Sequence, residues 1–258
     1  MFKNHDFEGK VVLITGSSSG IGAEAVVEFA KRGARVVITG RNGQALAAVA
    51  EQCHNVSPKG STPLQVVADI SKPNDCKRLI ETTVEAFGKL DILVNNAGSG
   101  GMTSINNANI IQKYEYFMDT NLRSALYLSH LSVDHLAKTR GNIINISSLV
   151  ATRPVAKSPM YAVSKRAMDM LTKCMALELA PMGIRVNIIS PGVVRSNFGL
   201  AAGLSREQYE AIQQKSIQSI PLRRVGEPID IANAILFMAS DECTYLTASR
   251  LASDGGGH

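Results

Sequence analysis

Val11-Val12-Leu13-Ile14-Thr15-Gly16-Ser17-Ser18-Ser19-Gly20-Ile21-Gly22 is an apolar run that ends in a glycine-rich turn, and an amphipathic segment follows it directly. The apolar residues at its start read as a strand with no polar side, as a sheet covered on both faces requires. Residues 23–32 read as a helix with Gly33 as its C-terminal stop. Strand, tight turn and helix in that order form the opening of a βαβ unit.

The same alternation runs outward along the chain. Val36-Val37-Ile38, Leu64-Gln65-Val66-Val67, Ile92-Leu93-Val94, Ile143-Ile144-Asn145-Ile146 and Arg185-Val186-Asn187-Ile188-Ile189 are short apolar runs of the same style. Helical patterns cover 76–87, 124–138, 161–179 and 229–238. The alternation predicts an α/β protein built on a parallel sheet. No Pro/Ser-rich linker, composition break or internal repeat divides the chain, so one domain over 1–258 is expected. Residues 196–220 interrupt the pattern: they begin with Gly199-Leu200-Ala201-Ala202-Gly203, turn polar and helical, and stand where a strand is due. They are read as an insertion over the site, a mobile lid.

Composition narrows the functional classes. A chain of 258 residues, 45% hydrophobic and 19% charged, buries one large core. The net charge is +5 and the pI about 9.0, but Lys and Arg are scattered, and Trp is absent. A nucleic-acid partner would need a clustered basic stripe, so none is expected. Cys53, Cys76, Cys174 and Cys243 form no CxxC pair, which argues against zinc, any other metal site and a disulfide framework. Free thiols imply a reducing compartment. The N-terminal MFKNHDFEGKVVLITG carries acidic residues where a signal peptide needs an apolar stretch, and its apolar run is too short to span a membrane. A cytoplasmic location without membrane attachment is expected.

The glycine turn carries the first chemical signal. Gly16 permits the tight turn, Gly20 lets backbone approach a pyrophosphate, and Gly22 lets helix and strand pack closely. The helix N-terminus offers unpaired N–H groups and the positive end of the dipole to phosphates. Gly16, Ser18, Ser19, Gly20, Ile21 and Gly22 are therefore assigned to a dinucleotide; a glycine-rich turn with no ligand is the plain alternative. About 20 residues on, where NAD-binding proteins carry a carboxylate, the chain reads Ile38-Thr39-Gly40-Arg41-Asn42. The acid is missing. Arg41 suits a 2′-phosphate and stacking on adenine, Gly40 leaves room for it, and Asn42 is grouped with them. NADP(H) is preferred and NAD(H) is the alternative; in the plain reading Arg41 is a solvated loop charge.

The turn's spacing is GxxxGxG, and the chain resembles the short-chain dehydrogenase/reductase family in this motif and in several others. They are Asn95-Asn96-Ala97-Gly98 after the fourth strand, Asn121 in the next helix, Ser148, Tyr161-xxx-Lys165, and Pro191-Gly192 after the sixth strand. The resemblance implies a doubly wound Rossmann-type parallel sheet of order 3-2-1-4-5-6-7, helices on both faces, and a site at the carboxyl ends of the strands. It implies cofactor contacts at Asp69 and Ile70, at Asn95, Ala97 and Gly98, at Tyr161 and Lys165, and at Pro191, Gly192, Val194 and Ser196. Ser196 stands where Thr is usual and keeps the hydroxyl. It also implies a homotetramer that pairs the helices carrying Asn121 and Tyr161. Ala180-Pro181-Met182-Gly183-Ile184-Arg185-Val186-Asn187 is similar to 3-oxoacyl carrier-protein reductases, but the family shares this segment widely. Ala248 replaces the glycine of the common YLTG.

Tyr161 and Lys165 lie four residues apart and share a helix face. The expectation is that the ammonium favours the phenolate and lowers the phenol's pKa from about 10, so that Tyr161 exchanges a proton with the substrate. Ser148 precedes Tyr161 by 13 residues and is placed to polarise a carbonyl. The resemblance gives Asn121 the role of holding a water for proton relay. Singly, each residue has a plain explanation: a surface pair, a helix cap at Ser147-Ser148, a backbone-satisfying Asn. Jointly they predict a carbonyl–alcohol oxidoreductase. The substrate wall is expected at 99–102, 149–151, 154–156 and 197–204, mostly small or apolar, with only Arg153 or Arg195 available to clamp a carboxylate. An apolar ketone or secondary alcohol is preferred: a steroid, an isoprenoid, a 3-oxoacyl thioester or a xenobiotic carbonyl. The alternatives are an NAD-dependent alcohol or steroid dehydrogenase, with Arg41 incidental, and a catalytically silent dinucleotide sensor.

Overall fold

The structure is a computed structural model that describes residues 6–156 and 158–257. Residues 1–5 of the N-terminal stretch read above for a signal lie outside the described residues. Seven strands form one sheet: β1 (Val11–Thr15), β2 (Arg35–Gly40), β3 (Leu64–Val67), β4 (Ile92–Asn95), β5 (Asn142–Ile146), β6 (Arg185–Pro191) and β7 (Arg250–Ser253). Their order is β3-β2-β1-β4-β5-β6-β7 and every neighbouring pair is parallel. The expected order and fold class are met.

The pleat explains why the central strands look wholly apolar. Val12 and Ile14 face one core cluster, and Val11 and Leu13 face another. The first core packs the sheet against α1 (Gly20–Lys31), α2 (Gly43–Val56) and α9 (Pro228–Ala239). The second packs it against α3 (Pro73–Phe87), α5 (Ser124–Thr139) and α6 (Pro159–Leu179). A buried Leu or Ile contributes roughly 1.5–3 kcal/mol through removal from water, so both faces of each central strand add to stability.

The expectation of fully buried strands fails at the sheet edge. In β3, Gln65 and Val67 are exposed and only Val66 is buried. An edge strand has a neighbour on one side only, so covering helices reach it incompletely.

Two helices escaped the sequence reading. In α2, Leu46, Val49, Ala50 and Cys53 are buried at helical spacing, and Asn42 Oδ1 caps the helix by accepting from the Ala45 N–H at 3.1 Å. The other is α4 (Ile110–Met118), which runs through a π-turn at Asp119–Arg123 into α5. The interruption at 196–220 holds α7 (Phe198–Ala201) and α8 (Arg206–Ser219). A parallel bridge between Val194 and Gly226 draws its two ends together, and the chain then resumes with α9 and β7. The insertion arches over the carboxyl ends of the strands.

Candidate active site

A cleft of about 550 Å³ opens at those carboxyl ends. The β1–α1 turn brings Gly16, Ser18, Ser19, Gly20 and Ile21 to its wall; β2 brings Gly40 and Arg41; the chain after β3 brings Asp69 and Ile70. From the other half come Ala97, Gly98, Ser148, Tyr161, Lys165, Pro191, Gly192, Val194 and Ser196. The folded chain thus gathers most of the sequence-predicted residues in one cavity.

Two close approaches shape the phosphate-facing turn. A Cβ on Gly16, whose φ is +65°, would sit 2.9 Å from Ala97 Cα, and one on Gly22 would sit 2.5 Å from the Gly16 carbonyl oxygen. No side chain fits at either place. Gly22 therefore acts in packing, behind the cleft wall. Thr15 ties this turn to the β4 loop: its Oγ1 accepts from the Asn96 and Ala97 N–H groups at 3.0 and 2.9 Å. Asn96 Nδ2 in turn donates to the Thr15 carbonyl at 2.8 Å.

Besides Gly22, two more residues assigned to the cofactor are not on the wall, nor is Asn121. Asn95 points into the sheet core, where its Nδ2 donates to Asn145 Oδ1 at 2.8 Å and to Ser129 Oγ at 3.1 Å. Its neighbour Asn96, quoted in the motif but not assigned to the cofactor, lines the cleft instead. Asn42 is committed to capping α2. Arg41 is exposed on the wall and makes no hydrogen bond or ion pair with any described residue. Asp69 Oδ1 accepts from the Ser71 N–H and hydroxyl at 3.1 and 2.7 Å, leaving the carboxylate fixed beside the second-strand loop.

At the other end of the cleft, Tyr161 and Lys165 stand one turn apart on α6. The Lys165 Nζ lies 5.9 Å from the Tyr161 ring centre and donates to the Ile146 carbonyl at 2.7 Å. Ser148 hydrogen-bonds the Tyr161 phenol. Its Oγ also accepts from the Val150 N–H at 3.4 Å, so the helix-cap role holds for a single 3₁₀ turn, Leu149–Ala151.

The electrostatics differ from expectation. Burial pushes the Tyr161 phenol above its usual range, and the Ser148 hydrogen bond works against that push; Lys165 is not among the causes. Burial holds Lys165 itself down to about 8, with the Asp169 carboxylate opposing. Burial penalises the charged form of each group, so the phenol moves up and the ammonium, 3% exposed, moves down.

Asn121 is fully buried within the π-turn. Its side chain bonds both backbone groups of Ser99 and donates to Ser164 Oγ at 2.9 Å. The plain reading of a backbone-satisfying Asn therefore holds for the side chain.

The lid side of the wall is partly as expected and partly new. Ser99, Asn197, Phe198, Gly199, Ala201 and Leu204 line the cleft, whereas 149–151 and 154–156 do not. Tyr116, Thr120, Tyr209 and Ile212 also line it and were not foreseen, because their helices and the cleft meet only in the fold. Phe198 sits 6.0 Å from the Tyr161 ring, centre to centre. Tyr209 ties the two parts of the 196–220 segment together: its hydroxyl accepts from the Ser196 N–H at 3.0 Å. Neither candidate carboxylate clamp reaches the wall. Arg153 donates to the Gly257 carbonyl, and Arg195 pairs with Glu227 at 2.9 Å. Among the described residues, the charged side chains on the wall are Arg41, Asp69 and Lys165.

Comparison with known proteins gives the same neighbourhood from several directions. Residues 16–258 match the protein-family profile described as enoyl-(acyl carrier protein) reductase. A short-chain dehydrogenase/reductase of unknown function from Caenorhabditis elegans, solved with cofactor, superposes with a TM-score of 0.91 at 34% identity, covering 97% of this chain and 96% of that one. A 7α-hydroxysteroid dehydrogenase complexed with NADH and 7-oxo glycochenodeoxycholic acid gives 0.91 at 33%, covering 100% and 98%. L-Sorbose reductase from Gluconobacter frateurii, complexed with NADPH and L-sorbose, gives 0.89 at 31%, covering 98% of each chain.

Proposed function

The chain belongs to the short-chain dehydrogenase/reductase family and is an oxidoreductase, and from that premise we propose that it interconverts a carbonyl and an alcohol with NADP(H), Tyr161 serving as general acid and base. The observation that carries this reading is the Tyr161 phenol, hydrogen-bonded by Ser148 and one helical turn from Lys165, on the wall of the same cleft as the glycine turn.

The residues present fit a dinucleotide. The Gly16–Ala97 approach shapes the backbone wall at the N-terminus of α1, and on the same cleft wall Arg41 has no partner among the described residues. When bound, the cofactor supplies or accepts the hydride. In the reducing direction, Tyr161 hands its phenolic proton to the substrate oxygen and Ser148 orients that oxygen by hydrogen bonding. The Lys165 ammonium stabilises the phenolate left behind. Asn121 keeps the Ser99 loop in place beside them, and the reverse sequence serves oxidation. Arg41 favours NADP(H) by pairing with a 2′-phosphate; the known relatives include both NADH and NADPH complexes.

A neutral, apolar ketone or secondary alcohol suits the substrate end. Tyr116, Phe198, Leu204 and Ile212 are there, and the two arginines that would clamp a carboxylate are paired elsewhere. We read residues 1–258 as one catalytic domain with 196–220 as its lid. A homotetramer is supported by exposed Val163, Met170 and Leu177 at seven-residue spacing on α6, beside exposed Leu126 on α5. Among the described residues no helix is long and apolar enough to cross a membrane, and the proposed location is the cytoplasm.

The test is NADPH consumption over ketones, aldehydes and acyl thioesters, with NADP⁺-dependent alcohol oxidation alongside. Turnover should fall about 10²–10⁴-fold in Tyr161→Phe. Unchanged turnover in that variant would refute the mechanism, and no wild-type turnover on any substrate would favour a dinucleotide sensor.

A further inference from the structure

A buried carboxylate lies directly behind the catalytic pair and has no part in the reaction described above. Asp169 stands one turn beyond Lys165 on α6, as Lys165 stands one turn beyond Tyr161, and its side chain is almost wholly buried. A carboxylate in that position needs hydrogen bonds or a counter-charge. Asp169 Oδ1 accepts from the Ser147 hydroxyl at 2.5 Å. Its Oδ2 has no hydrogen-bond partner among the described residues and lies 3.9 Å from Arg250 Nε on β7 and 4.0 Å from Arg166 Nη1.

Ser147 makes this more than a local contact. It precedes Ser148, its N–H is held by the Ile189 carbonyl of β6 at 2.8 Å, and its hydroxyl also lies 3.3 Å from the Lys165 carbonyl oxygen. Asp169 therefore ties the end of β5, which delivers Ser148, to the helix that delivers Tyr161 and Lys165. It also stands one helical turn from the buried Lys165 ammonium, which donates to the neutral Ile146 carbonyl.

We propose that Asp169 is a positioning residue for the reaction: through Ser147 it fixes the Ser148 hydroxyl against Tyr161, and by its charge it keeps Lys165 protonated. This rests on the catalytic roles given above to Ser148, Tyr161 and Lys165. The charged and titratable groups facing this line are Tyr161 and Arg166 on α6 and Arg250 on β7. From β5 and the π-turn come only the Ile146 carbonyl, Ser147 and the neutral Asn121. Burial depresses Lys165 and the carboxylate opposes that effect, so neutralising Asp169 lowers the pH at which Lys165 loses its proton.

The experiment uses the full chain with saturating NADPH and the best substrate of the screen, and reads kcat against pH for wild type, Asp169→Asn, Asp169→Glu and Ser147→Ala. In Asp169→Asn the alkaline limb of kcat should move down by roughly one pH unit, the low end for a neighbouring charge. Above that limb, kcat then falls about tenfold. Asp169→Glu should restore the limb in part. Ser147→Ala should leave the limb in place and lower kcat with KM little changed. An unmoved limb in Asp169→Asn, with only the melting temperature lowered, would overturn the proposal. If that variant does not fold, an unchanged kcat in Ser147→Ala overturns the tether. Titrating Lys165 by NMR of isotope-labelled lysine in wild type and Asp169→Glu needs no turnover. It separates failure of this proposal from failure of the catalytic reading, which wild-type turnover and Tyr161→Phe decide beforehand.

Discussion

Asn121 holds the backbone of Ser99 from both sides: its Oδ1 accepts from the Ser99 N–H at 2.8 Å, and its Nδ2 donates to the Ser99 carbonyl at 3.0 Å. Asn121 is buried within the π-turn Asp119–Arg123, and π-turns recur at functional sites. Gly98 fits in the gap between Asn121 and Lys165, where a Cβ would lie 3.2 Å from one and 3.4 Å from the other.

Asn121→Ala should therefore do two things at once. Two Ser99 backbone groups lose partners in a partly buried setting, at up to about 1–3 kcal/mol for each group left unsatisfied. The Ser99 loop also loses its place beside Lys165, so turnover falls. Urea unfolding checks the first effect and the carbonyl assay the second; unaltered stability would mean that water replaces the amide.

Ala248→Gly should stabilise the protein. Ala248 has a φ of +57°, a conformation that disfavours a Cβ by roughly 1–2 kcal/mol. Glycine also gains unfolded-chain entropy worth about 0.4–1 kcal/mol, so the net gain is on the order of 0.5–1 kcal/mol. The Ala248 N–H to Val186 carbonyl bond at 2.8 Å is retained by either residue. A thermal melt should move upward; a lower melting temperature would show that methyl packing outweighs the strain.

Arg41→Asp should reverse the dinucleotide preference. The guanidinium is exposed and has no partner among the described residues, so removing it should leave the fold intact. The new carboxylate suits a ribose diol and repels a 2′-phosphate. Affinities for NADPH and NADH, measured side by side, should cross over. An unchanged ratio would remove Arg41 from cofactor choice.

The pH dependence of stability should carry a Lys165 signature. Its folded-state pKa, about 8, lies below the ordinary lysine value of 10.5, so between these values the unfolded chain binds more protons. Stability contributed by this group therefore rises as pH increases through that window and is lost as pH falls back through it, the loss being complete once pH is below about 8. Cys53 and Cys76, pushed up by burial to about 12 and about 11, work in the opposite sense above pH 9. The comparison is thus between wild type and Lys165→Met. From pH 8 to 9 the wild type should gain up to about 1.4 kcal/mol relative to the variant. Parallel curves would mean that Lys165 is not buried as described.

The site was only partly legible before folding. The glycine turn and the Tyr161–Lys165 pair are local: a few neighbouring residues set both, through turn sterics and helical pitch. Asn95 and Asn96 show where locality ends. They are adjacent and identical, yet one enters the sheet core and the other the cleft, because successive residues at a strand end point to opposite faces. Arg153 and Arg195 looked available in the sequence and are occupied by Gly257 and Glu227, partners 104 and 32 residues away. Tyr116 and Tyr209 reach the wall from helices whose approach no spacing encodes.

By itself, the sequence determined the parallel α/β architecture, the glycine turn and the one-turn spacing of the Tyr161–Lys165 pair proposed to react. Each depends on short-range periodicity, or on a residue type such as a backbone-permissive glycine or a titratable phenol. Only the tertiary structure decided the charge balance of the site. Burial depends on everything that packs around a group, so Lys165 is held low, Tyr161 high and Asp169 brought behind them by elements distant in sequence.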